Sequence, residues 1–487
     1  MKYLLGIDVG TAGTKTALFS ENGDMADLSC RGYCLSYPNE GWVEQNPDDW
    51  WRSLIDTVRE VTARNKCGKD VAALSLSTQG GSLVLLDTEF HALYPAVSWL
   101  DARAEETADK LLRRINREEL YRMSGWPITG GLNLPVVFWF REKRPELYRK
   151  ARFFASTIDY INYLLTGRFA IDYTNLALTM FLDLDKRGWS EKGLSVTGLT
   201  GDNVPEIIPS GQVLGKLTPE ASRTLGLSNE VTVVSGAHDQ YCASIGAGAV
   251  NMGDCVLSCG TAWVLLATCD RLYFDEQSLG GRGITQSVFP GIHPAPGRFG
   301  LMTSVPFGGN SLKWFRDVMR PEHSFEKLDE AAAGAGPGSD GLFFVPVSSS
   351  RSGRGAFMGI DGVHGEAHFL RAIMEGVSYV NKRHLAMIRH AGVQVEKLIM
   401  IGGGSKSRVW PQIVADTCDI QVVLPRIAEA ACAGAAVLAG VGSGLFGSIE
   451  VASMKIAGVK SIIKPIDDNV MMYAEQYKRF VEYLNCA

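Results

Sequence analysis

Four places in this chain combine residue types that could handle a phosphate chain or a proton. The first is Asp8-Val9-Gly10-Thr11. A carboxylate at the end of an apolar run, followed by a glycine turn, can hold a metal ion while backbone N–H groups and hydroxyls bind phosphate. Thr11 and Thr14 offer the hydroxyls and Lys15 a positive charge. This is not a Walker A loop, because Gly13-Thr14-Lys15 departs from the GK[ST] ending. Gly260-Thr261 is the second place and Gly402-Gly403-Gly404-Ser405 the third. A tight turn needs one glycine, whereas three in a row let the backbone approach a nucleotide closely. The fourth is Asp239, in Gly236-Ala237-His238-Asp239-Gln240. A carboxylate just beyond a buried strand suits a general base, and Asp239 is preferred to its neighbour His238 for that role.

Two look-alikes fail their context. Gly442-Ser443-Gly444-Leu445-Phe446-Gly447 matches G-x-G-x-x-G but follows an Ala-rich helical run, not a strand. His364 and His368 stand four apart without a third ligand nearby, and read as helix-entry residues.

The elements that must position these residues follow from periodicity. LLGIDV (4–9) is an apolar run, then come the Gly/Thr turn, a second apolar run and the turn Glu21-Asn22-Gly23-Asp24, which together predict a β-hairpin. Asn46-Pro47 predicts a capped helix start, continued by Trp50, Trp51, Leu54, Ile55, Val58 and Val61 at helical spacing. VAALSLST (71–78) predicts a buried strand leading to Gln79-Gly80-Gly81-Ser82. VTVVSGAHDQ (231–240) predicts a strand running into a polar turn that contains Gly236. VLSCGTAWVLLAT (256–268) repeats the strand, Gly-Thr turn and strand of the N-terminus about 250 residues later, which implies a duplicated fold. Two such turns suggest paired jaws on one phosphate chain. The domains expected are 1–248 and 249–487.

Composition bounds the rest. The chain has 487 residues, 46% hydrophobic and 21% charged, which fits a globular protein with a sizeable core. Lys+Arg 48 against Asp+Glu 53 leaves a net charge of −5, so no basic surplus points to nucleic acid or an anionic membrane. Ten cysteines at irregular spacing read as reduced thiols, neither a disulfide scaffold nor zinc ligands. The N-terminus lacks a signal peptide's apolar region, and the uncharged stretch 430–447 reads as a packed helix of small residues, not a membrane span. A cytoplasmic protein is expected, with a homodimer as one possible assembly.

Taken together the motifs resemble the FGGY carbohydrate kinases, the sugar-kinase branch of the actin-like ATPase superfamily. The resemblance runs from about residue 3 to 480. It is carried by GIDVGTAGTK (6–15), GWVEQNPDDWW (41–51), SWLDARAEE (98–106), the strand leading to HDQ (238–240), SCGTAW (258–263), FGGNSLKWFRD (307–317), RGAFMGI (354–360) with HFLRAIMEGVSY (368–379), and LIMIGGGSKSRVWPQIVADTCD (398–419). Within the family it looks most like the xylulokinases and other ketose kinases.

The resemblance implies an α/β protein of two RNase-H-like domains with a central cleft, the sugar mainly on the N-terminal one and ATP mainly on the C-terminal one. It implies ATP and Mg²⁺ as cofactors, with Asp8 and Asp239 near the metal. Thr11, Thr14 and Lys15 would face the β- and γ-phosphates, and Gly260 and Thr261 would bind phosphate from the other side. Gly309, Lys313, Gly403, Gly404 and Arg408 would flank the nucleotide. Asp239 matches the catalytic base, and Trp99, Asp101 and Gln240 fall where substrate contacts are expected. The implied activity is phosphorylation of a hydroxyl of a ketose such as D-xylulose. The alternatives are another polyol or ketose (glycerol, erythritol, ribulose, fuculose, a hexulose) or a non-kinase actin-like ATPase.

The chain departs from the family at the sugar. Xylulokinases carry Gln-Met-His-Gly and glycerol kinases Gln-Arg-Glu where this chain has Gln79-Gly80-Gly81-Ser82. Both side chains that would touch the sugar are absent, and two glycines are expected to leave room there for a longer sugar lying against Trp99. Asp239-Gln240 is the glycerol kinase pairing. The loop Val347–Gly353 is shorter than the family's usual stretch.

Overall fold

The computed structural model describes residues 1–275, 287–346 and 355–486, so the Val347–Gly353 loop lies outside the described residues. The chain forms two compact units. One comprises Met1–Val250, Pro290–Phe299 and Glu429–Ala457; the other comprises Asn251–Phe289, Gly300–Ala428 and Gly458–Ala487.

The first unit is built on a six-stranded sheet in the order Met25–Gly32, Gly13–Ser20, Tyr3–Val9, Val71–Thr78, Thr232–His238, Val213–Lys216. The first three form an antiparallel meander, the next two run parallel to Tyr3–Val9, and the last closes the edge antiparallel. The parallel strands carry near-continuous apolar runs because both faces are covered: Leu4, Leu5, Ile7, Val9, Leu74 and Leu76 are all fully buried. On one face lies the helix Pro47–Arg64, capped as expected by Asn46 and burying Trp50, Leu54, Val58 and Val61.

The other face takes the helix Ala430–Gly442. Its small residues let it lie on the backbone of the sheet: a Cβ at Gly6 would stand 1.9 Å from the Cys432 carbonyl oxygen. On its other side a Cβ at Gly434 would stand 1.9 Å from the Cys242 carbonyl oxygen. This contact explains why Glu429–Ala457 groups with the N-terminal residues. The expected single cut between 248 and 249 counts one crossing, whereas the chain passes between the units at 250/251, 289/290, 299/300, 428/429 and 457/458.

The second unit holds six strands of a seven-stranded sheet, in the order Phe299–Val305, Trp263–Cys269, Cys255–Cys259, Lys397–Ile401, Gln421–Pro425, Val459–Ile463. Cys255–Cys259 pairs antiparallel with Trp263–Cys269 and parallel with Lys397–Ile401; Gln421–Pro425 continues parallel and Val459–Ile463 closes antiparallel. The succession of hairpin, two parallel strands and an antiparallel edge is that of the first unit, as the repeated Gly-Thr hairpin implied. Among the described residues no helix is long and apolar enough to cross a membrane.

One element differs from its sequence reading. Thr232–His238 runs directly into the helix Asp239–Gly246, with no turn between them. Gly236, read as a turn residue, lies inside the strand, where a Cβ would stand 1.8 Å from the Leu76 carbonyl oxygen. The ladder shifts register there, between Val234 and Ala237.

Candidate active site

In the first unit, three parallel strands end side by side. Asp8 pairs with Ser77, which pairs with Ala237; Val9 pairs with Thr78, which pairs with His238. Asp8, the Gln79-Gly80-Gly81 turn and Asp239 therefore cluster at the carboxyl ends of adjacent strands, where open α/β sheets place their ligands.

Asp8 accepts a hydrogen bond from Ser77 Oγ at 2.7 Å. Burial, helped by the charge of Asp239 and opposed by the Ser77 bond, raises its carboxyl to about 7. Burial likewise raises Asp239 to about 6, while its Gln240 hydrogen bonds pull the other way. Asp239 Oδ1 has no hydrogen-bond partner although it is buried. His238 Nε2 lies 3.0 Å from it, outside hydrogen-bonding geometry, and burial lowers that imidazole to about 4, so it is neutral. A free, partly protonated carboxyl at a strand-to-helix junction is a group poised to take a proton.

The Gly13–Ser20 strand splits the N-terminal motif by its period of two. Lys15 turns to the Ala430–Gly442 helix and pairs with Glu429 at 2.6 Å. Burial opposes its charge, but the Glu429 hydrogen bond and the charges of Glu429 and Asp8 together outweigh it, and the ammonium is held above its ordinary range. Thr14 turns the opposite way. Its side chain is fully buried and its hydroxyl shares a 2.7 Å hydrogen bond with Ser53 on the Pro47–Arg64 helix. The Thr14 hydroxyl therefore does not face a phosphate site, contrary to expectation.

Thr11 remains accessible. Its hydroxyl accepts from Trp99 Nε1 at 3.0 Å, and its carbonyl accepts from Gln45 Nε2 at 2.8 Å. Gln79 Nε2 donates in turn to Gln45 Oε1 at 2.7 Å, leaving Gln79 Oε1 buried and unpartnered. Gln45 and Glu429 were not singled out in the sequence. Gln45 lies in the quoted GWVEQNPDDWW stretch, while Glu429 stands 414 residues from Lys15 and has no local signal.

Two sugar-side expectations fail. Asp101 is buried and fully engaged, by Val43 N–H at 2.6 Å and by Arg103, whose Nε and NH2 reach its two oxygens at 2.9 and 2.8 Å. It anchors Arg103, which lies 3.9 Å over the Trp42 ring. The room expected beside Gly80 and Gly81 is also filled. A Cβ at Gly80 would meet Leu178 and His238 at 2.9 Å, and one at Gly81, whose φ is +74°, would meet Leu132 at 2.5 Å. These glycines are there for close packing and a left-handed backbone, not for a wider pocket.

In the second unit, Gly260, Thr261, Gly309, Lys313, Gly403, Gly404 and Arg408 line one cavity of about 460 Å³. The turns fit together because side chains are absent. A Cβ at Gly309 would stand 2.2 Å from the Gly260 carbonyl oxygen, and Gly402 holds φ +84° with its Cβ position 3.0 Å from Cys259. Asn310 N–H donates to Thr261 O at 3.0 Å, tying the Gly-Thr turn to the start of the Gly308–Met319 helix. Lys313 pairs with Asp317 at 2.5 Å on the exposed side of that helix. Asp329, which the sequence did not point to, receives the Ser407 hydroxyl and the Arg408 N–H and so fixes the turn after the glycines. Leu312, Phe325 and Trp410 give the cavity apolar walls beside these backbone N–H groups, a lining suited to a base and a phosphate chain.

The models of the FGGY family of carbohydrate kinases match residues 3–246 with the N-terminal domain and residues 255–443 with the C-terminal domain. The chain is 31% identical over 481 residues to a xylulose kinase of Bacillus subtilis (strain 168), covering 97% of this chain and 95% of that one. It is 29% identical over 489 residues to a gluconokinase of the same organism, covering 97% and 93%. Among solved structures, a ligand-bound xylulose kinase from Lactobacillus acidophilus superposes with a TM-score of 0.91 at 24% identity, covering 100% of this chain and 98% of that one. A gluconate kinase from Lactobacillus acidophilus gives 0.90 at 24% identity, with the same coverage.

Proposed function

Since the chain belongs to the FGGY family of carbohydrate kinases, we propose that it transfers the γ-phosphoryl group of ATP to a hydroxyl of a ketose, with D-xylulose the first choice and Asp239 the general base. The observation that carries this reading is the state of Asp239: half-buried, raised to about 6, and with one buried oxygen free of any hydrogen-bond partner among the described residues. Such a carboxylate can accept the proton of a hydroxyl as that hydroxyl attacks phosphorus. The second unit's cavity suits ATP, its Gly260-Thr261 and Gly403-Gly404 turns offering backbone donors to the phosphates. On the sugar side Thr11 and Lys15 would meet the transferred phosphoryl group, and Trp99, Gln79 and Gln240 the sugar.

Mg²⁺ is the expected companion of ATP. Among the described residues no group of three or more His, Cys, Asp or Glu could hold a metal by itself, but Mg²⁺ in kinases needs only one or two carboxylates besides phosphate. Asp8 and Asp239 fit: both are half-buried carboxyls raised toward neutrality, and a cation would restore their charge. When bound it would supply charge neutralisation to the phosphate oxygens.

The charges around Asp8 favour a neutral sugar. Asp239 and Glu429 raise its carboxyl, and Lys15, which opposes them, is already paired by Glu429. A carboxylate substrate such as gluconate, suggested by the second relative, would have to enter that negative field.

The test is initial rates of ADP formation with D-xylulose, D-ribulose, L-fuculose, D-fructose, D-gluconate and glycerol at matched concentrations. A ketose should give the highest kcat/KM. Gluconate or glycerol matching every ketose would overturn the substrate reading, and the absence of sugar-dependent ADP formation from all six would overturn the ketose kinase itself.

A further inference from the structure

Away from the residues above, the first unit contains a second cavity of about 520 Å³. Its walls come from three separate stretches: Tyr173-Thr174 with Arg187 and Pro209–Gln212, then Ile292–Arg298, then Val441 and Gly447–Glu450. No residue proposed for the sugar, the base or the nucleotide lines it.

Its donors lack partners. His293 is 3% exposed, and its Nδ1 accepts the Ala295 N–H at 3.0 Å. The ring proton must therefore sit on Nε2, and Nε2 is buried without an acceptor. Arg298 Nε is also buried without an acceptor, and neither Arg298 nor Arg187 takes part in an ion pair among the described residues. Burial, helped by the Arg298 charge, lowers His293 to about 3, so the ring remains a neutral donor beside the guanidinium.

The helix Ile449–Ala457 begins at the cavity wall, adding the positive end of its dipole, while its Val451 N–H is taken by Ser448 Oγ at 3.3 Å. Glu450 is the one acidic side chain in the lining, against two arginines. A buried, unused N–H costs free energy unless something accepts from it. Here two such donors, His293 Nε2 and Arg298 Nε, a second guanidinium from Arg187 and a helix start border one space.

We propose that this cavity is a second ligand site, separate from the sugar and nucleotide sites, for a small phosphate monoester. Arginine forks match phosphate oxygens in pairs, His293 Nε2–H supplies a directed third donor, and the volume accommodates a few carbons beyond the phosphate. The site also has a wall in common with the base: Thr174 lines the cavity, and its hydroxyl oxygen accepts the His238 N–H at 2.7 Å, one residue before Asp239.

The experiment is calorimetric titration of the full chain with glycerol 3-phosphate, in the presence of saturating D-xylulose and a non-hydrolysable ATP analogue. Inorganic phosphate and succinate serve as parallel probes. Glycerol 3-phosphate should bind once per chain under these conditions. Arg298→Gln and Arg187→Gln should each weaken it by about ten- to a hundredfold, the effect of one lost charged hydrogen bond. Both variants should keep the wild-type melting profile and the ligand-free kcat, and Arg187, being exposed, serves as the control should Arg298→Gln fold poorly. The proposal is overturned if no binding is seen at millimolar concentrations, or if the ATP analogue or D-xylulose displaces the probe. Unchanged affinity in the folded variants, succinate binding as tightly, or inorganic phosphate binding alone would also overturn it.

Discussion

Replacing Asp239 with Asn should slow the enzyme and stabilise it at once. The carboxyl moves from its ordinary 3.8 to about 6 on folding, chiefly by burial. A folded value above the unfolded one means that the protonated form is favoured in the native state. The stability this provides is complete below pH 4 and is lost as pH rises through about 6. Two units correspond to roughly 3 kcal/mol. The side chain is 32% exposed, so screening reduces this to about 1–2 kcal/mol.

Asn keeps the shape and removes the charge. At pH 7.5, without nucleotide or Mg²⁺, Asp239→Asn should melt a few degrees above wild type, and the difference should vanish near pH 4. Turnover should fall by about 10²–10⁴-fold or more. In the wild type, a base with pKa about 6 is about nine-tenths ionised at pH 7 and about one-tenth at pH 5, so kcat/KM for Mg·ATP, which reports the free enzyme, should fall at least about tenfold between them, with Asp8 near 7 adding to the loss. A carboxylate at its ordinary value would change by less than about a tenth over that range. Differential scanning fluorimetry and a pH–rate profile read these effects. A variant that melts no higher than wild type at pH 7.5, a flat profile down to pH 5, or retention of half the turnover would each refute the assignment.

Three further outcomes follow from the geometry. Gly309→Ala forces a Cβ to 2.2 Å from the Gly260 carbonyl oxygen, so ATP affinity should drop by at least about tenfold while first-unit stability is unchanged; normal nucleotide binding by titration would show that this contact does not shape the cavity. Thr14→Val should leave kcat and the KM for ATP near wild type at a cost of about 1 kcal/mol in urea unfolding, whereas Lys15→Met should cut kcat sharply; the reverse pattern would return the Thr14 hydroxyl to the phosphate. Gly81→Ala meets both a φ of +74° and Leu132 at 2.5 Å, and should cost about 2–4 kcal/mol by chemical denaturation, with wild-type stability contradicting the packing.

The sequence made the repeated hairpin, the capped helix at Asn46 and the glycine turns legible, because each depends on residues close together in the chain. The residues it grouped around a nucleotide line one cavity, since hairpin and βα turns at strand ends converge in any such sheet. What it could not show were facts about orientation. Thr14 and Lys15 are neighbours, yet strand alternation sends one to Ser53 and the other to Glu429. Asp101 carries the charge expected of a sugar contact, but Arg103, only two residues on, engages both of its oxygens. Gly80 and Gly81 invite a reading as empty space, and only Leu132 and Leu178, remote in sequence, reveal that the space is taken. Glu429 and the whole Glu429–Ala457 return to the first unit depend on an Ala/Gly helix whose sequence shows that it packs tightly but not against what.

That return has a consequence for synthesis. The helix Ala430–Gly442 covers one face of a sheet whose strands are all complete by Val250. On a ribosome, about 180 residues must still be added before the helix exists, which at ordinary elongation rates takes roughly 10–35 s. Throughout that interval the nascent sheet presents Gly6 and its apolar neighbours uncovered, a surface that chaperones and neighbouring nascent chains can reach. The first unit is thus first in the message but cannot be finished before the second has been almost entirely translated. A stop codon before residue 429 should release a chain that is aggregation-prone through its N-terminal half, whereas the same two units encoded with the helix moved forward could mature co-translationally.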